Sequence, residues 1–225
     1  MEYDVVIVGA GPAGLTTAIK LKQLDPNLSV CILEKGSEVG AHILSGNVFE
    51  TKALDELIPN WRNENAPIKT KVSKEKFLFL GKKSSLSWPT WLLPAVQKNH
   101  KNYIISLANF CRWLAEQAEK LGVEIFPGFP ASEVLYNNDG SVKGVATLDM
   151  GLDKEGNKKD TYQEGMELHA KVTVFSEGCR GHLGKQLIKK FNLDDGKNPQ
   201  QYGIGLKEIW EVNEQQHQEG LVMHT

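Results

Sequence analysis

Apolar positions at the start of the chain first run together and then space out to a helical period. Tyr3-Asp4-Val5-Val6-Ile7-Val8 is a short, almost continuous apolar run rich in β-branched residues, the composition of a strand buried on both faces of a parallel sheet. From Leu15 to Leu24 the apolar residues Leu15, Ala18, Ile19 and Leu21 fall on one side and Lys20, Lys22 and Gln23 on the other, which predicts a helix. Asp25-Pro26-Asn27 ends it, because the residue before a proline is pushed out of the α region. Ser29-Val30-Cys31-Ile32-Leu33 is a second buried strand, with Glu34 at its end.

Between the first strand and the helix stands Gly9-Ala10-Gly11-Pro12-Ala13-Gly14. In a dinucleotide-binding unit the first glycine permits the tight turn, the second lets the backbone approach a pyrophosphate, and the third allows close helix–strand packing. The helix N-terminus then offers free N–H groups and partial positive charge to the phosphates. Glu34 lies 34 − 14 = 20 residues past the last glycine, where an acid accepts hydrogen bonds from a ribose. A GxGxxG alone is weak evidence, since a glycine turn can simply pack a helix on a sheet. Strand, turn, helix, second strand and acid together point to a bound dinucleotide. An acid at position 34 argues against NADP. Spacing does not separate NAD from FAD, but the wording Gly-Ala-Gly-Pro-Ala-Gly-Leu followed by Leu33-Glu34-Lys35 resembles the flavoprotein version.

Further along, Gly40-Ala41-His42-Ile43-Leu44-Ser45-Gly46 is punctuated by glycine and suits a close backbone approach to a flavin. Ala53, Leu54, Leu57, Ile58 and Trp61 recur at helical spacing. Ser84 to Val96 holds Leu86, Trp88, Trp91, Leu92, Leu93 and Val96 together with Pro89 and Pro94, a pattern of neither regular helix nor strand. It reads either as a buried loop or as a membrane-interface surface, the latter suited by Lys82, Lys83, Lys98 and Lys101 around it. Asn102 caps a predicted helix over 103–121 with an apolar stripe through Ile104, Leu107, Cys111, Leu114 and Ala118, closed by Gly122. Val123–Phe126 returns as a strand. Ala131–Tyr136 and Val142–Leu148 alternate around Asn137-Asn138-Asp139-Gly140, a hairpin signal. Residues 142–168 form a β-meander inserted in the crossover to the buried strand Val172–Phe175. Leu183–Phe191 is a short helix, and Gly203–Val212 opens a new alternating strand.

At 225 residues, 40% hydrophobic and 24% charged, the composition is that of a soluble globular protein. A net charge of −2 and a pI near 6.3 give no reason to expect nucleic acid. No apolar stretch is long enough to cross a bilayer as a helix, and the first strand begins so close to Met1 that no targeting segment is expected. Cys31, Cys111 and Cys179 lie far apart without CxxC spacing, so no zinc site or cluster is read from them.

Gly40–Gly46, Asn102–Leu107, Leu168–Phe175, Glu177-Gly178-Cys179-Arg180-Gly181-His182-Leu183 and Tyr202–Glu208 together resemble electron transfer flavoprotein–ubiquinone oxidoreductases, over less than half of that family's length. The resemblance implies an α/β, Rossmann-like three-layer FAD-binding fold with an inserted β-meander over residues 1–190. Residues 43–96 would hold a segment facing membrane and quinone, and 191–225 would begin a second, antiparallel, quinone-binding domain. It implies electron transfer from reduced electron transfer flavoprotein to ubiquinone at a membrane surface, on the cytoplasmic face of a bacterial inner membrane or in the mitochondrial inner membrane. The family's four-cysteine [4Fe–4S] site belongs to its C-terminal part, outside these residues. Carried onto this sequence, the implied FAD contacts are Gly9, Ala10, Gly11, Pro12, Ala13, Gly14, Glu34, Lys35, Ser45, Gly46, Val134, Ser176, Glu177 and Gly178. Many flavoproteins of the wider class place an arginine early in the long helix near the FAD phosphates. Here that neighbourhood holds Ser106, with Arg112 farther on, and the role stays unassigned. His42 and His182 sit beside glycines without partners that would mark an acid or base, so no catalytic side chain is expected. Two other readings remain: a flavoenzyme of the geranylgeranyl reductase or aromatic hydroxylase kind, or an inactive FAD-binding module.

Overall fold

The apolar run at the N-terminus becomes β1 (Glu2–Val8), the helix α1 (Pro12–Leu24) and the second run β2 (Val30–Glu34) in a computed structural model that describes all 225 residues. Then come β3 (Asn47–Phe49), α2 (Lys52–Leu57), β4 (Thr70–Lys71), β5 (Lys74–Leu80), β6 (Ser85–Trp88) and β7 (Tyr103–Ile105). The remainder holds α3 (Leu107–Lys120), β8 (Glu124–Pro127), β9 (Ala131–Tyr136), β10 (Val142–Thr147), β11 (Met150–Leu152), β12 (Lys158–Gln163), β13 (Glu167–Phe175), α4 (His182–Phe191) and β14 (Leu221–His224).

These elements fall into two units. Met1–Ile43 and Cys111–Gly203 form the first; Leu44–Phe110 and Ile204–Thr225 form the second. This differs from a division at residue 190: the middle of the chain groups with its end rather than with the dinucleotide unit, because β14 pairs with β5.

The first unit is a six-stranded sheet in the order β8-β2-β1-β13-β10-β9. β8, β2, β1 and β13 run parallel, while β10 and β9 turn back antiparallel as the inserted meander. β11 and β12 form a separate two-stranded ribbon. β1 and β2 are buried almost throughout, as strands covered on both faces must be. Val6, Val8, Cys31 and Leu33 pack on one face with Leu168, Val145, Val134 and the α4 residues Leu183 and Leu187. Strand alternation sends Ile7 to the other face, where its Cγ2 lies beneath α1 at Gly14. Burial pushes the thiols of Cys31 and Cys111 up to about 12, so both behave as small core residues. Burial, and after it a 2.9 Å hydrogen bond donated to the Glu124 carboxylate, also raises the Tyr3 hydroxyl far above its usual range.

In the second unit β3 and β4 flank β7 antiparallel, and β6 pairs antiparallel with β5. The last strand β14 joins β5 in parallel. Several local expectations meet the structure here. Tyr103–Ile105 is a strand and not the first turn of the long helix; α3 starts at Leu107, where the Ser106 hydroxyl accepts the Asn109 N–H at 3.3 Å. Asn102 donates its side-chain amide to Asn99 instead, at 3.0 Å. The helical spacing that Pro59 interrupts gives a helix that ends at Leu57. Leu54, Ile58 and Trp61 are buried at 3%, 9% and 2% exposure, so these three pack inward. Ser85–Trp88 forms a regular strand, followed by two single 3₁₀ turns. Gly203–Val212 forms no strand, and Ile204, Leu206 and Ile209 are almost fully exposed.

Candidate functional site

The parallel strands β1, β2 and β13 end together at one edge of the first unit, with β1 between the other two. That is the switch point of the sheet, where open α/β folds bind ligands outside the carboxyl ends of their strands. A cavity of about 710 Å³ opens there, lined by Val8 to Ala13, Leu33 to Lys35, Gly40, His42, Ile43, Ala131, Phe175 to Gly178 and Arg180 to His182.

The glycine turn has the geometry its sequence predicts. Gly9 has φ +104°, and a Cβ on it would lie 2.6 Å from the Ser176 carbonyl oxygen. A Cβ on Gly14 would lie 2.0 Å from the Gly9 carbonyl oxygen. A Cβ on Gly11 meets nothing within 4 Å. Two glycines therefore serve packing and one leaves the wall open for a ligand. Helix α1 begins at Pro12, which has no N–H, and no side chain caps its first turn. Its free N–H groups remain available to an anion. This open cradle fits a dinucleotide pyrophosphate.

Glu34 ties the turn to the end of β2. Its Oε2 accepts the Ala10 N–H at 2.9 Å and its Oε1 accepts the Gly36 N–H at 2.7 Å. Each carboxylate oxygen keeps lone-pair capacity for a ribose hydroxyl. Ser176 holds β13 to the same turn: its hydroxyl reaches the Val8 carbonyl at 2.9 Å and the Gly9 carbonyl at 3.1 Å. Glu177 does something the sequence does not disclose. Its carboxylate accepts the N–H groups of Leu183 at 3.3 Å and Gly184 at 2.8 Å, and its Oε1 lies 3.2 Å from His182 Nδ1. It caps α4, where an acid also meets the favourable end of the helix dipole.

Of the expected contacts, Gly9 to Ala13, Glu34, Lys35, Ser176, Glu177 and Gly178 share this cavity, with Gly14 packed just beneath it. Val134 does not line it; its side chain is 3% exposed within the core, and Ala131 at the start of β9 is the wall residue. Ser45 and Gly46 belong to the second unit, where the Ser45 hydroxyl shares a 2.6 Å hydrogen bond with Ser106 and the Gly46 carbonyl accepts from Lys207. Arg180 and Phe175 line the cavity without having been singled out; the glycines on either side of Cys179-Arg180 were the available signal.

The Thi4 family profile matches residues 1–57. Among solved structures, the chain superposes on a geranylgeranyl bacteriochlorophyll reductase-like protein of Thermoplasma acidophilum with a TM-score of 0.53 at 21% identity, over 77% of this chain and 38% of that one. The THI4 of Thermovibrio ammonificans gives 0.53 at 18% identity, over 85% of this chain and 63% of that one. At such identities these matches establish the Rossmann-like fold. Sequence relatives are much closer. The chain is 56% identical over 230 residues to the probable electron transfer flavoprotein-ubiquinone oxidoreductase of Acinetobacter baylyi, covering 100% of this chain and 40% of that protein. The chain matches the N-terminal part of the electron transfer flavoprotein–ubiquinone oxidoreductases.

The electron transfer flavoprotein-ubiquinone oxidoreductase of Pseudomonas aeruginosa is 56% identical over 231 residues, and the mitochondrial one of Bos taurus 50% identical over 229. The chain spans 42% and 37% of the length of these two relatives.

Proposed function

We propose that this chain is the FAD-holding N-terminal part of an oxidoreductase that takes electrons from reduced electron transfer flavoprotein and delivers them to ubiquinone. The observation that carries the reading is the cradle at the ends of β1, β2 and β13, where Gly11 leaves open space and α1 presents uncapped N–H groups. The names of the relatives supply the electron donor and acceptor. When bound, FAD supplies reversible acceptance and release of electrons. The chain's own residues bind and orient it: the turn and α1 receive the pyrophosphate, Glu34 accepts from the ribose, and Ser176 and Glu177 fix the loop after β13. No proton transfer is assigned to a side chain, and the [4Fe–4S] site of the resemblance belongs to residues beyond these.

Its test is an absorbance spectrum of the purified, folded chain, incubated with excess FAD and passed through gel filtration. Retained flavin bands near one equivalent per chain are expected. A folded chain that elutes colourless overturns the reading.

The membrane contact belongs to the second unit, at the tip of β5 and β6 and the turns that follow. No helix here is long and apolar enough to cross a membrane. Trp91 is 75% exposed and Val96 93%, with Leu80, Leu86 and Leu92 also exposed. Tryptophan suits the interface, and Lys82, Lys83 and Lys98 suit anionic headgroups. Such a surface suits a chain that lies on the quinone-bearing membrane, inner mitochondrial or bacterial. Trp91→Asp with Val96→Asp is expected to lower partitioning onto anionic vesicles, read by flotation, by at least about 100-fold, since burial of each side chain is worth about 1.5–3 kcal/mol. Equal flotation of variant and parent counts against it.

A further inference from the structure

We propose that Arg180 supplies the fixed positive charge for the pyrophosphate of the bound dinucleotide, and that Tyr202 holds it there. The inference rests on the FAD reading of the cavity and adds a residue to it.

The sequence holds three arginines, Arg62, Arg112 and Arg180. Two are committed elsewhere. Arg62 pairs with Asp55 at 2.9 Å, and Arg112 pairs with Glu38 at 2.8 Å. Arg112 is the arginine nearest the start of the long helix, and it faces the Glu38 carboxylate. Arg180 lines the cavity, and its guanidinium lies 4.9 Å from the centroid of the Tyr202 ring rather than against an acid. A guanidinium stacked on an aromatic face keeps its in-plane N–H donors free, and those donors match the geometry of phosphate oxygens.

Placement favours the pyrophosphate over the ribose end. Arg180 stands four residues beyond Ser176, whose hydroxyl reaches the Gly9 carbonyl at 3.1 Å, so its loop starts from the glycine turn itself. Gly181, where a Cβ would lie 2.5 Å from the Glu177 Cβ, folds the loop tightly back on the α4 cap. Lys35, also in the wall, follows Glu34 at the end of β2, on the ribose side. His182 faces Glu177 at 3.2 Å. Arg180 is thus the arginine without an acid partner beside an anion site otherwise built from backbone N–H groups.

The experiment measures dissociation constants of the full chain for FAD, ADP and adenosine by NMR titration, in the parent, Arg180→Gln, Arg180→Lys and Tyr202→Leu. Arg180→Gln is expected to weaken FAD and ADP about tenfold, the scale of one charge-assisted hydrogen bond, and to leave adenosine unchanged. Arg180→Lys should restore part of the loss, and Tyr202→Leu should weaken ADP by a smaller factor. The parent's ADP affinity should fall with added salt more steeply than that of Arg180→Gln. An unchanged ADP constant in Arg180→Gln overturns the proposal, as does an equal loss for adenosine, which marks a structural effect. A parent that binds neither FAD nor ADP overturns the FAD reading itself, an outcome distinct from those two.

Discussion

Gly11→Val is expected to leave the chain folded and to remove FAD binding. Gly11 has φ −79° and ψ −180°, an extended conformation that a β-branched residue adopts without strain. A Cβ there meets no atom within 4 Å, so the protein itself offers no collision. The cost to the fold is confined to replacing glycine at the helix N-cap. That is worth less than about 1 kcal/mol, which in a chain of this size lowers Tm by about 2–4 °C. The isopropyl group projects into the open wall where the second glycine of a dinucleotide fingerprint admits the pyrophosphate. Affinity for FAD should fall by at least about 100-fold, roughly 2.7 kcal/mol. Flavin fluorescence titration and a thermal melt on the same sample check both halves. Stoichiometric flavin retained by the variant would place the ligand elsewhere and sink the fingerprint argument.

The parts of the fold that the sequence discloses are those in which neighbours along the chain decide the structure. Val5 to Val8 and Val30 to Leu33 have no polar side to show to water, so both had to be covered strands. Asn137 to Gly140 closes a hairpin by its own turn chemistry, and the Gly140 N–H donates to the Asn137 carbonyl at 2.9 Å. The readings that fail depend on partners far away. Tyr103-Ile104-Ile105 continues the phase of the apolar stripe in α3, and only its pairing with β3 and β4, some 30 to 60 residues earlier, makes it a strand. Glu177 carries the charge of a cofactor contact. Its work as a helix cap appears only once α4 is known to start at His182. Val134 lies three residues along the same strand from the wall residue Ala131, packed in the core with Val145 and Leu168. Arg180 was hidden for the opposite reason. Its importance lies in what it does not touch, and that requires knowing that Arg62 and Arg112 already have acids.

Gly14→Ala should unfold what Gly11→Val spares. Within a helix this substitution ordinarily gains about 1 kcal/mol from propensity, so a stabilised protein is the default expectation. Here the added Cβ would lie 2.0 Å from the Gly9 carbonyl oxygen, 2.7 Å from the Ser176 hydroxyl and 3.2 Å from Ile7 Cγ2. The hydroxyl can rotate away; the carbonyl belongs to a turn whose own φ of +104° is fixed by its glycine, and β1 cannot retreat because it is paired on both sides. Relief requires α1 to lift from the sheet, loosening the packing of Leu15 and Ile19, both fully buried. Overpacking of this kind costs about 1–3 kcal/mol, and more where backbone must move. A net loss of about 3 kcal/mol corresponds to a fall in Tm of roughly 6–12 °C. Because the displaced atoms also form the cavity wall, FAD binding should fall with stability and stay low well below the new midpoint. Adding Ser176→Ala removes the 2.7 Å contact but not the 2.0 Å one, and should recover little of either. A raised Tm in Gly14→Ala would show that α1 sits farther from β1 than this geometry places it. The two glycines would then no longer divide between packing and ligand access.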